Sequence, residues 1–214
     1  MKVKIWDGMV RLFHWGTALL LPLCWYTADQ GMMEWHMTCA YLLMTLLLMR
    51  VLWGFVGTTT ARFDHFLRRP GAVIHYLAHW RHHKRPYFGH NPAGGYMVLV
   101  MLLLLMGQVI TGLFATDDIL TEGPLYPYVS SQLASTLTSL HHLIFDLILA
   151  SVALHLSAIL FYRLNGVNLV EAMLTGYGFT AEGRRCNAKT PMRWLLPLTL
   201  TSSGVLFGLI LPLW

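Results

Sequence analysis

Charge is scarce in this chain: only 12% of its 214 residues are Asp, Glu, Lys or Arg, while 56% are hydrophobic. Soluble domains average about 25% charged residues, so the deficit argues against a water-exposed globule and for lipid. Cysteine is sparse as well. Cys24, Cys39 and Cys186 form no CxxC pair, and no CxxCH is present, which excludes covalent c-type haem attachment. Their odd number and scatter fit free buried thiols. The net charge of +5 comes without an aromatic-basic groove, so nucleic acid is not an expected partner. No A-x-A site follows the leucine-rich stretch behind Lys2, Lys4 and Arg11, which is therefore expected to be a retained first span and not a cleaved signal. Internal repeats, low-complexity tracts and dividing linkers are also absent.

What the chain does have is long apolar runs. Spans are expected over about 10–28, 35–56, 94–116 and 137–162, with a fifth over about 193–214, where Pro197 and Pro212 sit near the ends of the run. Each approaches the roughly 20 residues that cross a hydrocarbon core. Strand alternation is missing, and backbone groups in lipid must be satisfied internally, so the spans are expected to be helices. Apart from Arg50 inside the second span, Lys and Arg lie in the N-terminal tail, the loop after the second span (Arg62, Arg68, Arg69, Arg81, Lys84, Arg85) and the loop after the fourth (Arg163, Arg184, Arg185, Lys189, Arg193). The loops with Asp29 and Glu34, and with Asp117, Asp118 and Glu122, have neither. The positive-inside rule then puts the N-terminus in the cytoplasm. Within the first basic loop, RPGAVIHYLAHWRHHKRP reads as a short amphipathic surface helix with Val73, Ile74, Leu77 and Trp80 on its apolar face.

Histidine inside a span is costly unless it has a partner. His14 lies near the cytoplasmic start of the first span, and His36 at the outer end of the second. The fourth span carries both His141 and His155. Fourteen residues turn a helix through roughly 1,400°, about 40° short of four full turns, and rise about 21 Å. One helix therefore offers two imidazoles on one face, one towards each membrane surface. Depth pairs His14 with His155 on the inner side and His36 with His141 on the outer side. A single such histidine is readily a hydrogen-bonded packing residue. Four at matched depths suit two haems, each ligated on both faces by imidazole. Zinc needs three or four ligands about 2 Å from one ion, which residues 21 Å apart cannot supply. His142, thirteen residues from His155, turns to the wrong face, so His141 is preferred.

The other histidines are His65, His75, His79, His82, His83 and His90. His75 and His79 have metal-binding spacing but sit in the basic surface helix, where a solvated face is the simpler account. Arg50, fourteen residues after His36, reaches the inner level and either binds a haem propionate or snorkels to the surface. Arg11 serves the same propionates or marks the membrane edge. Gly54, Gly57, Gly107 and Gly112 permit close helix packing or the approach of a flat macrocycle.

Several segments together resemble the prokaryotic cytochrome b561 family. They are WDGMVRLFHW, WHMTCAYLLMTLLLMRVLWGFVG, RFDHFLRRPGAVIHYL, GHNPAGG and LHHLIFDLILASVALH, and the resemblance covers about residues 5–176. That family includes the b subunits of nickel-iron hydrogenases and thiosulfate reductases and, more distantly, the gamma subunit of formate dehydrogenase. The resemblance implies two bis-histidine b haems on His14, His36, His141 and His155. It also implies exchange of electrons between a membrane quinone and a partner on the outer face. A quinone is expected beside Asn91, Gly94 and the edge of the His155 haem. The common acidic residue after the span-four ligand is His142 here, which reopens the choice between the two adjacent histidines.

The expected fold is an all-α integral membrane protein: a four-helix bundle holding two b haems over residues 1–176. A basic cytoplasmic loop and fifth transmembrane helix follow over 177–214. The expected setting is the bacterial inner membrane, with lipid, quinone and a periplasmic c-type cytochrome or iron–sulfur subunit as partners; a homodimer is open. Three rival readings remain. A stand-alone superoxide:quinone oxidoreductase would favour a positive outer funnel, and the outer loops are acidic. A histidine-lined ion or metal transporter would hold no haem. A passive anchor for a catalytic subunit would not require four placed ligands.

Overall fold

The structure, a computed structural model, describes residues 2–79, 87–117, 119, 121–179, 204 and 208. Four long helices dominate: α1 (Gly8–Asp29), α2 (Met33–Val56), α5 (Pro92–Gly112) and α6 (Ser131–Leu164). Between α2 and α5 lie two short ones, α3 (Phe63–Phe66) and α4 (Pro70–Ala78), and α7 (Leu169–Thr175) follows α6. Strands β1 (Lys2–Lys4) and β2 (Tyr177–Phe179) pair antiparallel, with Lys4 opposite Tyr177. The expected fifth span lies outside the described residues except for Gly204 and Gly208, as do Trp80 and the basic residues 81, 84 and 85.

Local chemistry starts the helices where the structure has them. Asp7, Asn91 and Ser130 cap α1, α5 and α6 by accepting hydrogen bonds from the backbone N–H groups of Val10, Gly94 and Leu133. Among the described residues, α2, α5 and α6 are long and apolar enough to cross a membrane. At 22 residues α1 is one residue longer than α5, but Arg11, His14, Trp15 and Tyr26 dilute its apolar character and it is not among the three. Two boundaries differ from expectation. α6 begins six residues before the expected 137, and α5 ends at Gly112 instead of 116.

α1 packs along α2, α5 along α6, and α2 meets α5. Leu43, Leu47, Leu102, Leu105, Ile144 and Ile148 close the middle of the bundle. A second core joins Ile5, Trp6, Val10, Trp53, Ala61 and Ala172 at the end where the N-terminus lies. Leu147, Leu154 and Leu160 on α6 are exposed, the last at 59%. So continuous an apolar face suits lipid and not water. α4 exposes Ile74 and Leu77 while burying Tyr76.

Candidate functional site

The backbones of α1 and α6, and of α2 and α6, scarcely meet, yet side chains face each other across both separations. His14 of α1 and His155 of α6 have ring centroids 6.3 Å apart. His36 of α2 and His141 of α6 are 6.4 Å apart. Two metal–nitrogen bonds of about 2 Å each, plus the ring radii, separate coordinated imidazole centroids by about 6 Å. Both gaps fit one ion held between two rings. Among the described residues no group of three or more His, Cys, Asp or Glu could hold a metal ion. His142 is exposed on the outside of α6, while His141 turns into the bundle.

Backbone carbonyls fix two of these rings. His36 Nδ1 lies 2.8 Å from the carbonyl oxygen of Cys24, and His141 Nδ1 lies 3.0 Å from that of Gln108. A carbonyl can only accept, so each Nδ1 carries the proton and each Nε2 keeps the lone pair that a metal needs. Thr111 Oγ1 is a further neighbour of His141 Nδ1 at 3.1 Å. A Cβ on Gly112 would sit 2.9 Å from His141 Cε1, so glycine is what lets this ring lie against α5. The Gln108 side-chain amide stands 3.0 Å from His141 Nε2. His14 Nδ1 is buried without a hydrogen-bond partner. The four histidines fit two iron porphyrins with imidazole on both faces.

The other expected site residues have varied surroundings. Arg11 Nε donates to the carbonyl of Met173 at 3.2 Å, and its guanidinium also reaches the carbonyl of Leu174, so it closes the C-terminal end of α7. Arg50 is 3% exposed, with Phe63 and Phe66 rings over its guanidinium. Asn91 Oδ1 accepts from Gly94 N–H at 2.7 Å, and Asn91 Nδ2 donates to Tyr162 Oη at 2.8 Å. Tyr162 in turn meets the hydroxyl of Tyr76 on α4.

The family model for prokaryotic cytochrome b561 matches residues 5–176. The chain belongs to this family. Its members are integral to membranes and transfer electrons through b haems. The matched region contains all four histidines together with Arg11, Arg50, Asn91 and Gly94. No curated protein and no solved structure matches the chain.

Sequence reasoning missed Gln108 and Thr111 as neighbours of His141. Two polar side chains three residues apart in an otherwise apolar span were the available signal, because lipid makes them costly. It also missed Asp7, which is fully buried and accepts from Val10 N–H, Trp53 Nε1 and the Thr58 hydroxyl. His90 was likewise passed over. Burial first, and Arg50 second, push its imidazole down to about 3, so it is neutral at ordinary pH.

Proposed function

We propose that this chain carries electrons across the bacterial inner membrane through two b haems. His14 and His155 hold the inner one, and His36 and His141 the outer one. The observation that carries this reading is the pair of imidazole–imidazole gaps, 6.3 and 6.4 Å, built on a single α6 face. A haem held between each pair of histidines would supply a one-electron carrier, and two imidazoles per haem suit electron transfer and not oxygen binding.

The remaining roles belong to the polypeptide. α1 joins α2, α5 and α6 as a membrane-crossing helix, and the N-terminus is cytoplasmic. Residues 1–176 form the haem domain. Quinone approaches at the inner end beside Asn91 and Gly94, where the amide of Asn91 is held by Tyr162. The outer loop between α5 and α6 is folded by Asp117, whose Oδ1 accepts from Ile119 and Thr121 N–H. With Glu122, Tyr126 and Tyr128 it offers an acidic, aromatic surface suited to a basic c-type cytochrome or an iron–sulfur subunit.

Purification in mild detergent with pyridine haemochrome quantification tests the reading. Two b haems per polypeptide, with low-spin bis-imidazole spectra, are expected. Fewer than two, or other axial ligands, overturns it.

A further inference from the structure

We propose that Arg50 and His90 form a buried carboxylate cradle, and that its occupant is a propionate of the inner haem. The inference rests on the two-haem reading and adds His90, a residue that reading leaves without a role.

Arg50 is a cation in search of an anion. It is 3% exposed, and its Nη1 is buried with no hydrogen-bond partner. Asp7 lies within electrostatic reach, but its oxygens are already taken by Val10 N–H, Trp53 Nε1 and the Thr58 hydroxyl. Phe63 and Phe66 sit 5.5 and 5.9 Å from the guanidinium carbon, and neither ring offers Nη1 an oxygen acceptor. A buried charge without a hydrogen-bonded counterion is strongly unfavourable, so a missing acceptor is implied.

His90 has the same deficiency beside it. Its Nδ1 is buried and unpartnered, and its ring packs 4.6 Å from Trp6 and 5.0 Å from Phe66, the ring it shares with Arg50. The backbone there is held firmly: Gly89 takes a positive φ of 85°, and Asn91 caps α5. His90 lies within electrostatic reach of both Arg50 and His155. Two unsatisfied nitrogens from separate elements therefore belong to residues packed against the same Phe66 ring. A guanidinium fork plus one imidazole N–H matches a planar carboxylate, and b haem carries two.

The test uses the full chain with haem labelled by 13C at its propionate carboxyls, and the variants R50Q and H90Q. Redox-difference infrared spectra and a redox titration are recorded for each. Both variants should keep the outer haem and shift the labelled carboxylate band of the inner one. R50Q should also move the inner haem's equilibrium towards the oxidised form by roughly tenfold or more, because a nearby cation favours the reduced iron. Unchanged bands and an unchanged inner potential in both variants overturn the cradle while leaving the two haems standing. A phosphate band that moves in place of the labelled carboxylate also overturns it, in favour of a lipid headgroup. Should R50Q fail to accumulate, R50K replaces it, and an unmoved band in H90Q alone is decisive against the proposal. A wild-type chain with a single haem defeats both readings at once.

Discussion

A carbonyl oxygen has no proton to give, and at His36 and His141 that fact decides which nitrogen remains for iron. The Cys24 and Gln108 carbonyls hold Nδ1–H, so in the proposed two-haem arrangement ligation would fall to Nε2 on both rings. His142, exposed and turned away, has no such arrangement. His141→Ala should therefore halve the haem content to one per chain, while His142→Ala should leave both; haemochrome quantification reads the difference. Loss of a haem from His142→Ala alone would reverse the assignment. The spacing of fourteen residues was legible because helix geometry is local. The partners of those residues were not. Asp7 meets Trp53 across 46 residues, Asn91 meets Tyr162 across 71, and Tyr76 meets Tyr162 across 86. No pattern along the chain announces which polar groups will meet once the helices are side by side.

At the scale of elements, apolar runs marked α2 closely and α6 poorly. The 34 residues of α6 rise about 51 Å, against a hydrocarbon core of about 30 Å. Its first turns, SQLASTLTS, are polar, so a search for apolar runs began six residues late. Ser130 was the readable signal, a serine whose side chain caps the helix. α5 stops early for the opposite reason: Leu113 and Phe114 continue the apolar run, but the backbone has already turned towards the bridge between Thr116 and Glu122. The excess length predicts that the start of α6 stands in water on the outer side. With the native cysteines replaced by alanine, Ser135→Cys should react with an impermeant thiol reagent on intact spheroplasts. Arg62→Cys should react only after the membrane is permeabilised. The reverse pattern would invert the proposed topology.

At the scale of the whole molecule, the described residues form a dense set of polar cross-links at one end, besides those around His36 and His141 at the other. The Asp7 knot, the Arg11 contacts with α7, the β1–β2 pair and the Asn91–Tyr162–Tyr76 chain all gather around the start of α1, the end of α2, the start of α5 and the end of α6. Lipid provides little hydrophobic drive between helices, so such hydrogen bonds supply fixed geometry that apolar contact alone would not. That rigid end is where quinone is proposed to enter, and the outer pair lies about 21 Å further along α6. Electrons from quinol should therefore reach the outer haem only through the inner one. His155→Ala makes this measurable, since it should remove the inner haem and spare the His36–His141 pair. Dithionite should still reduce the remaining haem fully, while quinol should reduce it at least an order of magnitude more slowly than in the unaltered protein. Quinol reduction at the original rate would mean that electrons enter at the outer end, and that the polar inner end serves assembly alone.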